Sequence, residues 1–170
     1  MADARGEEIM KFNEWIVGQV NGVDVKYMIK LKSESGFMKL ISYLLFWQRK
    51  TFMENYYTTI GRVMYVPTET PDSATLEHEL IHVYDYQSAP VLFVWSYLFL
   101  LPSVWTWRAK WERRAYAWQM QRLQYFDIEW VKSQFCTSAY LWMQPFPKEI
   151  EAWVEKVRSG EYKPITSVEL

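Results

Sequence analysis

Two histidines four residues apart, with a glutamate between them, are the residues in this chain best suited to chemistry. His78-Glu79-Leu80-Ile81-His82 contains the only two histidines in the sequence. On a helix, residues four apart share one face, so both imidazoles point the same way and can offer ring nitrogens to one metal ion. Zinc suits such donors, at about 2.0–2.1 Å per nitrogen. Glu79 is displaced round the helix. From there it can reach a water beside the metal without being a ligand, which separates ligation from general-base work. Leu76, Leu80, Ile81 and Val83 supply uncharged flanks, and no proline interrupts the motif. One or two histidines on an ordinary core helix are the competing reading, but the shared face and the interposed glutamate favour a site.

A catalytic zinc ion usually takes three protein ligands and keeps one open position. With no third histidine, the candidates are carboxylates. Asp85 follows His82 by three residues on the same face, but its short side chain would strain to close a tetrahedral site. Glu112, in Trp111-Glu112-Arg113-Arg114-Ala115-Tyr116, belongs to a separate expected helix, and the small Ala115 permits close helix approach. Glu129 is a third candidate.

His78-Glu79-x-x-His82 followed by Glu112-x-x-Ala115 resembles the gluzincins, a group of zinc metallopeptidases, and among them the small, minimal members without a large second domain. The resemblance covers roughly residues 58 to 120. It implies a zincin-like fold, a bound zinc ion, peptide or protein substrates, Glu112 as third ligand and Glu79 as general base. Many gluzincins carry an aspartate four residues after the ligand glutamate. Tyr116 stands there instead. A phenol can accept an imidazole N–H but brings no charge, and it could alternatively donate to a developing oxyanion or simply pack. Asp85 could supply the missing carboxylate behind a ligand histidine. The metzincin variant fits poorly, because Asp85 stands where its glycine would be and Ser88 where its third histidine would be.

The elements that must position these residues read as one α+β domain with a short sheet. Asn21-Gly22 is a two-residue hairpin signal within 12–31, followed by the alternating Val23, Val25, Tyr27, Ile29 and Leu31. A helix is expected over 37–49 and a strand over 57–66, with Gly61 as a bulge. The motif helix should run over 71–88, with Thr70 as N-cap and Pro71 in the first helical position. An apolar segment covers 89–107. The ligand helix is expected over 108–125 and a C-terminal helix over 147–158, with Ile150, Trp153, Val154 and Val157 as one apolar stripe and Gly160 as C-cap.

Composition narrows the rest. The net charge of −1 and the lack of a basic run exclude nucleic acid as a main partner. Cys136 is the only cysteine, so no intrachain disulfide forms, which favours a reducing compartment. The start, MADARGEEIM, lacks an apolar signal core. The expected location is therefore the cytoplasm or an assembled particle. Residues 86–107 carry no charge and reach a bilayer-spanning length. Two prolines and several polar groups make them buried core, a partner surface or a membrane-contact segment rather than a span. Ten Trp, twelve Tyr and nine Phe are a heavy aromatic load. That load supports an alternative reading, a structural or interaction subunit of a larger assembly such as a phage virion, retaining a zincin-like zinc site and meeting partner subunits through aromatic surfaces.

Overall fold

A computed structural model describes residues 11–46, 49–98, 107–137, 144 and 146–164. It is α+β, as the sequence leads one to expect. The chain forms two compact units, Met1–Val83 and Tyr84–Leu170. No linker marks this division in the sequence, because it falls inside the motif helix.

The first unit is built on a four-stranded sheet. Strands β1 (Trp15–Val20) and β2 (Val23–Leu31) form the expected hairpin, in a register from Val20↔Val23 to Trp15↔Met28. Asn21 and Gly22 both have positive φ, at 50° and 77°, as a tight primed turn demands. The stretch expected as one strand instead doubles back. Strands β3 (Thr58–Ile60) and β4 (Val63–Val66) pair antiparallel around Gly61, whose φ is 63°. Gly61 therefore makes a turn, not a bulge. β-Branched and aromatic residues on both sides of it look the same whether the chain continues or reverses. β4 lies parallel to β2, giving the order β1-β2-β4-β3 with β3 at an edge.

The crossover from β2 to β4 holds two helices where the sequence suggests one. α1 (Gly36–Leu44) is capped by Ser35, whose hydroxyl accepts from the Met38 N–H at 3.2 Å. The chain leaves the helix at Leu45, and α2 (Arg49–Glu54) follows. Val20, Val25, Ile29, Met38, Met64, Val66, Ile81 and Val83 form the buried core of this unit.

The motif helix, α3, spans Ser73–Ser88. α4 (Pro90–Leu98) follows closely, with Pro90 in its first turn, where a missing N–H costs nothing. The second unit contains α4, α5 (Trp107–Leu123), α6 (Ile128–Cys136) and α7 (Pro147–Arg158). α6 escapes the sequence reading. Its start is set by Asp127, whose carboxylate accepts from the Trp130 N–H at 2.9 Å, just after Gln124 breaks α5 with a φ of 52°. The expected stripe on α7 is buried, and Gly160, at φ 77°, turns the chain after it. Edge-on ring contacts run Tyr116–Phe135–Trp153–Tyr162 through this unit, each pair of centroids 5.4–6.0 Å apart. Part of the aromatic load is therefore internal packing, while Trp15, Phe37, Tyr43, Phe46 and Tyr125 are exposed. Part of the apolar 89–107 segment lies outside the described residues. Among those described, no helix is long and apolar enough to cross a membrane.

Candidate metal centre

The start of α3 is fixed two residues later than the sequence suggests. Asp72, not Thr70, is its cap. One Asp72 oxygen accepts from both the backbone N–H and the hydroxyl of Thr75 at 2.8 Å. The Asp72 N–H donates to the Tyr57 hydroxyl at 2.9 Å. A carboxylate at an N-cap gains from the helix dipole as well as the hydrogen bond, so it outcompetes the threonine two residues earlier. Pro71 then lies before the helix. Burial, together with the nearby Asp72 and Glu79 charges, raises the Tyr57 phenol above its ordinary pKa, although the Asp72 N–H opposes the shift.

His78 and His82 follow on one face, with ring centroids 5.0 Å apart and planes at 77°. Both are buried, as is Glu79. Glu112, on α5, is 2% exposed. His78, His82 and Glu112 each offer a ligand atom, and these atoms all lie within 4.8 Å of one another. Ligand atoms around a tetrahedral zinc ion are roughly 3.3–3.5 Å apart, given bonds of about 2.0–2.2 Å. Two imidazoles and one carboxylate are also a donor set that suits zinc. The 4.8 Å bound is wider than that spacing, and burial and donor chemistry are what suit the group to holding a metal ion.

The remaining sequence candidates are placed elsewhere. Glu129 points outward on α6, its side chain 83% exposed, and pairs with Lys132 at 2.9 Å. Asp85 is buried and meets the Arg114 guanidinium at 2.7 Å. It is thus neither a solvated helix-end charge nor a member of the three-ligand group. Tyr116 is 4% exposed and packs its ring against Trp130 and Phe135, at 5.4 Å each, within the core of the second unit.

Three residues that sequence reasoning passed over carry polar structure around these groups. Thr59, on β3, donates its hydroxyl to Glu79 Oε2 at 2.6 Å. Nothing marks it within a run of strand-forming residues. Lys32 is fully buried just after β2. Its amine donates to the Phe52 carbonyl at 2.8 Å and lies 3.8 Å over the Phe52 ring. Burial pushes this amine down to about 7, against the opposing pull of the Glu79 carboxylate. A lysine after an alternating strand reads as surface by default, because lysine is almost never fully buried. Arg114 is the third. Besides Asp85, it donates from Nε to the Pro164 carbonyl at 3.0 Å and lies 5.4 Å over the Trp111 ring. The periodicity of α5 shows that Arg114 is on a helix, but not what it meets.

Comparison with known protein families, curated proteins and solved structures finds no match to this chain.

Proposed function

We propose that this protein is a zinc-dependent metallopeptidase of the gluzincin type. The observation that carries the reading is the convergence of three buried ligand atoms, from His78, His82 and Glu112, within 4.8 Å, with Glu79 next in sequence to one of them. These three side chains would hold the ion. When bound, zinc acidifies a water and polarises the scissile carbonyl. The protein supplies the rest. Thr59 ties up Oε2 of Glu79 and thereby orients the carboxylate, leaving Oε1 to take a proton from the attacking water. Glu79 then returns that proton to the leaving amine. Burial of the group strengthens each of these electrostatic contacts relative to water.

The test pairs metal analysis with hydrolysis of a fluorogenic peptide library. The wild-type chain should hold about one zinc per molecule. His78→Ala and His82→Ala should each lose tight binding. Glu79→Gln should keep the metal and lose hydrolysis. Glu112→Gln should weaken zinc binding far more than Asp85→Asn does. Unchanged zinc in both histidine variants would remove the site. Full activity in Glu79→Gln would remove the mechanism, and bound zinc with no cleavage by the wild type would favour a structural role in an assembly.

A further inference from the structure

Helix α1 faces the wrong way for an ordinary surface helix. It buries Met38 and the small polar Ser42, and it turns Phe37, Leu40, Tyr43 and Leu44 outward, each more than half exposed. Phe37, Leu40 and Leu44 are spaced i, i+3, i+7, so they form one stripe. Phe46, just beyond the helix, is 77% exposed. Single exposed apolar residues need no explanation, but a contiguous set of this size marks an interaction surface.

We propose that the outer face of α1 is a docking surface for an anionic lipid bilayer. The charges around it select this partner. Between Glu34 and Glu54 the chain carries Lys39, Arg49 and Lys50 and no acidic residue, although the whole protein has a net charge of −1. All three cations are exposed. The Arg49 guanidinium lies 4.1 Å over the Tyr43 ring, which brings a cation to the border of the apolar stripe. Apolar and aromatic side chains bordered by Lys39, Arg49 and Lys50, with acidic Glu34 and Glu54 only at the ends of the segment, suit a helix lying in a lipid interface: the stripe enters the acyl boundary while the cations meet lipid phosphates. Interfaces with proteins instead deplete lysine and surround the apolar centre with a mixed polar rim. At nine residues α1 is about 13 Å long, so it would lie along the surface and not cross it. The surface uses no residue of the His78 group, and it stands whether or not that group binds zinc.

The test is co-sedimentation of the full-length protein with vesicles of phosphatidylcholine alone and of phosphatidylcholine with added phosphatidylglycerol. Binding should appear on the anionic vesicles and weaken as salt rises. Phe37→Ser combined with Leu44→Ser should lower the partition coefficient about tenfold or more. Arg49→Gln should lower it roughly fivefold at low salt. Val17→Ser, an exposed apolar change on β1, should leave it unchanged. Circular dichroism checks that each variant folds. No binding to either vesicle, or equal binding to both, overturns the proposal. So does light scattering that shows a dimer dispersed by the α1 double variant, which would assign the face to a second copy of the chain.

Discussion

If Glu79 is the base of the proposed mechanism, its free oxygen must be held towards the proton it takes, and Thr59 is the residue that would hold it. Its hydroxyl meets Glu79 Oε2 at 2.6 Å. A hydrogen bond to a charged group contributes about 1.5–3 kcal/mol. Thr59→Val should therefore lower kcat for a fluorogenic peptide about tenfold or more while zinc content stays constant, and Thr59→Ser should restore it. Equal rates in the Val and Ser variants would show that Glu79 needs no such tether. Lys32 gives a prediction that needs no substrate. Its amine is held near 7 in the folded chain, below the ordinary value of 10.5. Between those values the unfolded chain binds a proton that the folded chain does not, so stability rises with pH across the window. Below 7 both states are protonated and the full cost of burying the ammonium stands. Urea unfolding at about pH 6 and about pH 9 should show the higher midpoint at the higher pH, and Lys32→Met should flatten that difference. A slope that survives in Lys32→Met would assign it to other groups.

Among the elements, the ends of the helices govern how well each is positioned. Asp72 closes the first turn of α3 through two bonds to Thr75. Asp72→Ala should cost about 1 kcal/mol, in the usual range for a lost N-cap, whereas Thr70→Ala should cost almost nothing. Thermal unfolding of the two variants decides between the caps, and a larger loss for Thr70→Ala would contradict the assignment. At the other end of the chain, Gly160 holds a φ of 77° after α7. That left-handed conformation costs a residue with a Cβ about 1 kcal/mol.

At the scale of the whole molecule, buried charge enters stability, and so would a metal held by the His78 group. A ligand that binds only the folded chain stabilises it by mass action, by about 4 kcal/mol at a thousandfold excess over Kd. If the ligand group holds zinc, adding a chelator should lower the Tm by several degrees in the wild type and leave His78→Ala unmoved. In the second unit, Asp85 is sealed from solvent and pairs with Arg114 at 2.7 Å. Arg114→Met would remove this cation from beside a buried carboxylate, at a cost of about 3–5 kcal/mol, measurable by urea unfolding. A cost below 1 kcal/mol would mean that the pair is solvated in solution.

Sequence alone determined what depends on neighbours along the chain. The Asn21-Gly22 turn, the alternation of β2, the apolar stripe of α7 and the shared face of His78 and His82 all follow from local backbone geometry, and each is present in the structure. Tertiary structure decided what depends on residues far apart in sequence. It reversed the chain at Gly61, because strand propensity is blind to direction. It turned the apolar stripe of α1 outward, because periodicity locates a stripe but not the side that the core occupies. It placed Glu112, rather than Asp85 or Glu129, beside the two histidines, and it buried Lys32 and Asp85, because a charge is kept from water only by partners that no local pattern names.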